Sequence, residues 1–175
     1  CEVPVRSFRG WKNRVLARAF TAYPGLAARW ARKLEAHGGP IPWATPRKPL
    51  RGAEVAVVTT GGVHLRSQRP FDMGDPDGDP TYREIPVTSP RESLTITHDY
   101  YDHRDAEEDL GLVLPVAELR ELADTGAMGA LHPVVYGFMG HIQGRHLTTL
   151  VAKTAPEVAR KLARAGVDYA LLVPA

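Results

Sequence analysis

The chain has 175 residues, 43% of them hydrophobic and 24% charged, the composition of a globular domain with enough chain for a core. Its single cysteine excludes an internal disulfide and a cysteine-based zinc site, and no apolar run approaches the roughly 20 residues of a membrane span. Net charge is only +2, but residues 1–50 hold ten Lys/Arg against Glu2 and Glu35, a balance of +8, while residues 51–175 hold twelve against eighteen, a balance of −6. A basic arm of this kind suits packing on its own acidic body or on another subunit, and no nucleic-acid motif or membrane anchor accompanies it. Without a signal-peptide pattern the expected compartment is the cytoplasm. The first residue is Cys1 rather than Met, which suggests a trimmed or processed chain.

Residues 8–22 read as an amphipathic helix, with Phe8, Trp11, Val15, Leu16 and Phe20 at helical spacing among Arg9, Lys12, Arg14 and Arg18. Tyr23-Pro24-Gly25 breaks it, and a second helix is expected over 26–37 with Leu26, Trp30 and Leu34 on one face. His37-Gly38-Gly39-Pro40 is a helix stop. The pair forms a basic helical hairpin, an arm over residues 1–38 whose aromatic residues serve as core or subunit-interface anchors and through which the chain is expected to oligomerise. Residues 39–49 carry four prolines and read as a stiff extended connector.

An α/β domain is expected over residues 50–175. Its first strand, Glu54-Val-Ala-Val-Val-Thr-Thr60, is an apolar, β-branched run that breaks at Gly61-Gly62. More than thirty residues of Gly-, Asp- and Pro-rich loop follow, carrying His64, Arg66, Arg69, Arg83 and Glu84. The run from Asp72 to Asp79 alternates acids and glycines, but the twelfth position from Asp72 is Arg83, not Glu, so it reads as turns rather than a calcium loop. Ser93-Leu-Thr-Ile-Thr97 alternates as a second strand and leads into the polar cluster His98-Asp-Tyr-Tyr-Asp-His103-Arg-Asp105. A helix is expected over 115–125, with Pro115 in its first turn, Leu119 and Leu122 inward, and Gly126 closing it. A strand is expected within 127–137, then the turn Gly137-Phe-Met-Gly140 and His141. A helix over 155–165 is expected to open on Thr154 as cap and end at Gly166, and Tyr169-Ala-Leu-Leu-Val173 reads as a final buried strand. Alternation of strands and helices predicts an open, mostly parallel α/β sheet with flanking helices.

The runs VVTTGGVHLRSQRPFD, GDPTYREIP, THDYYDHRDAEEDLGLVLP, GFMG and GVDYALLVP stand here in fixed order. In that order they resemble the selenoprotein B-type subunit of the glycine/sarcosine/betaine/D-proline reductases, over roughly residues 40–175. The resemblance implies an oxidoreductase, or a subunit of a hetero-oligomeric one, that reductively cleaves a carbon–nitrogen bond in a small amino acid or its N-methylated form. It also implies a partner subunit that can carry a pyruvoyl group. In that family the reactive selenocysteine or cysteine lies just after the strand matching residues 169–174. Here the chain stops at Ala175, and Cys1 aligns with no family motif. The expectation is therefore a shortened relative, or a fragment, to which the thiol or selenol chemistry does not carry over. The alternative is a catalytically degenerate partner or scaffold subunit.

The residues themselves offer two chemistries. His64, His98, His103 and His141 fall at or just beyond expected strand ends, which share one edge of a parallel sheet, and Glu84, Asp99, Asp102 and Asp105 supply carboxylates. Two histidines and one carboxylate would suit iron, zinc or manganese, although His98 and His103 are five apart and no regular element points both to one side. Without metal, His64 or His98 serves as general base with Glu84 or Asp105 as its orienter. Arg66 and Arg83 suit a substrate carboxylate, or equally tie down the acidic loop. Gly61 and Gly62 can present backbone N–H groups to an oxyanion, and Tyr82 and Met139 complete the substrate-binding candidates.

Overall fold

The computed structural model describes residues 8–23, 25, 28 and 44–175. The chain divides into two compact units, residues 1–45 with 99–102, and residues 46–98 with 103–175. In the first unit, helix α1 (Phe8–Ala22) matches the expected amphipathic helix. Trp11, Val15 and Leu16 stand exposed along it, and Arg14 donates to Asp99 at 2.9 Å. The expected second helix over 26–37 falls outside the described residues but for Ala28, so the hairpin and Trp30 are not described. Residues 39–43 of the connector are likewise outside.

The second unit is built on one sheet. Strand β1 (Glu54–Thr59) is its centre, and both its faces are covered, as a continuous β-branched run requires. On one side β1 pairs in parallel with β5 (Ala130–Leu131) and then with β6 (Val134–Gly137). These are one expected strand broken at His132-Pro133, because proline has no N–H to give the ladder. On the other side β1 pairs in parallel with β7 (Tyr169–Val173). The far edge is β3 (Arg83–Pro86), antiparallel to β6. The sheet is thus open and mostly parallel, as the strand–helix alternation predicts.

Three expectations about strands change. The loop after β1 is not structureless, since it contains β2 (Val63–Leu65) and β3. The second expected strand, β4 (Leu94–Ile96), is not in the main sheet; it pairs antiparallel with β2 as a separate ribbon. The final strand is also not buried. Ala170, Leu171 and Leu172 are exposed, because β7 is an edge strand.

Helices cover the sheet. Short α2 (Arg104–Glu108) forms within the polar cluster, and α3 (Val116–Asp124) follows it. Leu119 of α3 is buried, but Leu122, expected inward, is exposed. The last helical stretch begins earlier than the sequence suggests. α4 (Gly144–Thr149) runs through a π-turn (Leu150–Thr154) into α5 (Ala155–Ala165). Thr154 therefore has helical dihedrals and caps nothing, while Gly166 closes the helix in the left-handed region as expected. Val158 and Leu162 of α5 pack with Ala56, Tyr136 and Phe138 on one face. On the other, Val55, Val57, Ile85 and Val135 pack with Leu94, Leu110, Leu114 and Leu119. Fully burying one such valine or leucine contributes about 1.5–3 kcal/mol.

At the N-terminal end of the sheet, Lys48 meets Asp168 at 2.9 Å, and Asp168 also accepts the Glu54 N–H. These bonds anchor the end of the connector, so that β1 and β7 run in register toward the opposite edge.

Candidate functional site

The C-terminal ends of β1, β6 and β7 meet in a hydrogen-bonded junction. The Phe138 N–H donates to Thr59 O at 2.8 Å, and the Gly62 N–H returns to Phe138 O at 2.9 Å. The Thr60 N–H donates to Val173 O, and Thr60 Oγ1 accepts the Ala175 N–H. Gly62 has φ +70°, and a Cβ there would lie 2.6 Å from Thr97 O, so only glycine lets β1 turn this closely onto the chain before His98.

His98 completes the junction. It is 4% exposed, and its Nε2 accepts the Gly140 N–H at 3.1 Å. Burial, and then the charges that His141 and His103 can carry, push its pKa down to about 4. The ring is therefore neutral at pH 7, with the proton on Nδ1. Its basic nitrogen is engaged by backbone, so it holds the GFMG turn against the end of β1.

His64 lies elsewhere, on β2. Its Nδ1 donates to Leu65 O at 2.7 Å, and its Nε2 accepts from the Thr97 hydroxyl at 2.8 Å. Its ring meets Phe71 edge-on, and Phe71 in turn carries Arg83 over its face at 4.3 Å. Burial lowers the His64 pKa, with the charges of Arg83 and Arg66 adding to it against the Leu65 carbonyl. His103 faces Glu107 at 3.0 Å, and His141 Nε2 lies 3.0 Å from Pro76 O. Among the described residues, no group of three or more His, Cys, Asp or Glu side chains is arranged to hold a metal ion.

Glu84 points away from His64 and His98, to Lys161 at 2.5 Å. Arg66 donates to Glu92 O. Tyr82 packs against Tyr136 and Phe138 on the α5 side of the sheet. Buried Met139 bridges to Gly61, and its sulfur accepts the Asp79 N–H at 3.0 Å. Arg83 is spent largely on the acidic loop. It donates to Arg69 O, Pro70 O and the Thr81 hydroxyl, and lies 3.6 Å from Asp79.

That loop is the feature sequence reasoning undervalued. Asp75 meets Arg145 and His146 at the start of α4, and the Gln143 N–H donates to Asp77 O. The hydrogen bond from His146, then the Asp77 N–H and Arg145, hold the Asp75 carboxyl well below the usual carboxylate range. Gly78, at φ +87°, bridges to Ile142, and a Cβ there would fall 1.7 Å from His141 O. Burial works against an ionised Asp79, but the Thr81 hydroxyl and N–H, the Asp72 N–H and Arg83 outweigh it and hold its pKa low.

Between these groups lies a polar cavity of about 490 Å³, lined among others by Arg69, Asp72, Asp75, Asp79, Arg83 and His146. A space of that size holds a small molecule. Both charge signs face it, which suits a zwitterion. Asp79 connects it through Met139 to the end of β6. Of its lining, the sequence pointed to Arg83 and Arg69. His146 carried no signal, because its helix was not expected.

Comparison with known proteins bears on the same residues. Glycine/sarcosine/betaine reductase selenoprotein B (GRDB) matches as a family over residues 37–175. The chain is 35% identical over 133 residues to the D-proline reductase subunit gamma of Acetoanaerobium sticklandii, covering 76% of this chain and 53% of that protein. It is 31% identical over 144 residues to the glycine reductase complex component B subunit gamma of Symbiobacterium thermophilum, covering 75% and 30%. The corresponding Carboxydothermus hydrogenoformans subunit is 29% identical over 134 residues, covering 71% and 28%. The chain thus spans about half the length of the first relative and under a third of the other two. No solved structure matches it. With the match running from the connector through β7, the chain belongs to the glycine/sarcosine/betaine reductase selenoprotein B family.

Proposed function

We propose that this chain works in a reductase complex, as the part of a subunit that holds a small amino-acid-derived substrate beside the C-terminal edge of the sheet. The observation that carries this is the polar cavity with Arg69 and Arg83 facing Asp72, Asp75 and Asp79. An arginine there binds a substrate carboxylate, and an aspartate attracts its ammonium or N-methylated nitrogen. The names of the relatives, reductase subunits for D-proline and glycine, support a substrate of this class. His98 then acts as a positioning residue: a neutral imidazole that fixes Gly140, and with it Met139, against the cavity wall. Reducing equivalents come from a thiol, a metal or a partner subunit.

Isothermal titration with glycine, sarcosine, betaine and D-proline tests this. At least one should bind saturably, and Arg69→Gln should weaken it about tenfold without changing the fold. Folded protein that takes up none of the four sinks the proposal. Iron, zinc or manganese on His64, His98, His103 and His141 is a separate expectation, decided by elemental analysis of tag-free protein. Near-stoichiometric metal that His98→Ala removes would support it, and metal-free folded protein would end it.

The exposed Trp11, Val15 and Leu16 of α1 favour a second role, contact with a partner subunit. Trp11→Ala should then weaken assembly and leave ligand binding unchanged.

A further inference from the structure

A second cavity, of about 410 Å³, opens where the end of β3 meets α3 and the turn after α2. Its floor is core: Ile85, Leu94, Leu114 and Val135 are all under 10% exposed and all line it. Its rim carries both charges, Arg91 and Arg120 with Glu108, Glu118 and Asp109, the last of which accepts the Gly111 N–H. Arg120 of α3 donates to Val87 O at 2.6 Å, and Arg91 donates to Glu107 O at 2.6 Å. Each guanidinium is thus fixed at the mouth by one carbonyl, and neither forms a salt bridge with a carboxylate among the described residues. A guanidinium has five N–H donors, so most remain available. Glu118 stands on the same rim and folds back over Gly111, where a Cβ would lie 2.7 Å from its Oε1. Glu118 likewise forms no salt bridge among the described residues.

This combination has a chemical meaning. An apolar floor that reaches buried leucine and valine favours an aliphatic or aromatic body. Preset arginines favour a carboxylate, and a carboxylate beside them favours an ammonium. A plain fatty acid would leave Glu118 repelled, and a plain amine would leave the arginines unused. We infer that this cavity is a binding site for an α-amino acid with a large apolar side chain, distinct from the polar cavity of the proposed substrate site. The inference does not depend on the reductase reading. The polar cavity is lined by Arg69, Arg83, three aspartates and His146 rather than by buried leucine and valine, so the two sites favour different side chains.

The test is calorimetric titration of the full chain with L-leucine and L-phenylalanine, and with glycine and 4-methylpentanoate as partial ligands. Leucine or phenylalanine should bind saturably and, in Arg69→Gln protein, where the polar cavity is weakened, about tenfold more tightly than glycine, which lacks the body, or 4-methylpentanoate, which lacks the amine. Ala117 lies exposed at the mouth, so Ala117→Trp should fill the cavity and abolish binding without unfolding the protein, as circular dichroism and the thermal midpoint would show. Arg120→Gln should weaken leucine about tenfold, and Glu118→Gln should erase the preference for leucine over 4-methylpentanoate. Arg69→Gln, in the polar cavity, should leave leucine binding as it was. The inference is overturned by any of three results: no saturable binding of either apolar amino acid, binding that survives both Ala117→Trp and Arg120→Gln, or binding lost in Arg69→Gln instead.

Discussion

His64 and His98 make an instructive pair. Both are buried, both lie near Thr97, and burial lowers the pKa of both. They nonetheless belong to different regions. His64 sits in the β2–β4 ribbon with each nitrogen bonded to its own ribbon, to Leu65 O and to the Thr97 hydroxyl. His98 sits where three strands of the main sheet end, and its Nε2 reaches 42 residues along the chain to Gly140. A buried imidazole whose bonds stay within one ribbon, even one closed 33 residues along the chain, secures that ribbon. One that bonds a distant turn couples segments, and that is the place where a change in one segment is felt in another. The chain's histidines are therefore not equivalent, although the sequence offers them as one set.

Substitution can break this contrast or sharpen it. The largest effect is expected from His64→Ala, which leaves a cavity beside Phe71 and strands the Thr97 hydroxyl. Denaturant unfolding should show a loss of about 3 kcal/mol, with ligand affinity unchanged in the protein that remains folded. If affinity fell instead with stability intact, the two histidines would have exchanged roles.

His98 should show itself through pH. Its folded pKa of about 4 lies below the ordinary value of 6.5, so the unfolded chain takes up a proton that the folded chain refuses. Stability from this group is therefore complete above about pH 6.5 and is lost as pH falls toward 4. The expected loss is about 2 kcal/mol between pH 8 and pH 5. His98→Gln should flatten that part of the stability profile, and an unchanged slope would mean the ring is not buried as described. The smallest effect is expected at β7. Leu172 is 69% exposed, so Leu172→Lys should shift stability by no more than about 0.5 kcal/mol. A larger loss would show that this edge is covered in solution.

Much of the architecture was legible in residue order. The β-branched run of β1, the amphipathic spacing of α1, the glycine stop of α5, and the proline at the start of α3 each act through local backbone preference or burial, which a sequence displays directly. The errors have a common cause. β4 has the alternation of a half-buried strand, but nothing local says which strand it pairs with, and it joined β2 rather than the main sheet. β7 has the composition of a buried strand, yet its position at the sheet edge leaves Leu171 and Leu172 in solvent. Thr154 has the chemistry of a cap, but helix α4 runs into it from upstream and leaves no N-terminus to cap.

The candidate site divides the same way. Sequence alone determined which side chains the chain owns, the order of its family motifs, and the glycines at 61, 62 and 78 that permit sharp turns and close approach. Tertiary structure decided which of those side chains meet. It tied Arg83 to the acidic loop, turned Glu84 toward Lys161, and closed His64 within its ribbon. It also brought Asp75 to His146, 71 residues away, to wall a cavity that neither segment announces. The physical reason is that hydrogen bonds and charge pairs act over a few ångströms, whatever the separation along the chain. Only the packed sheet fixes those distances.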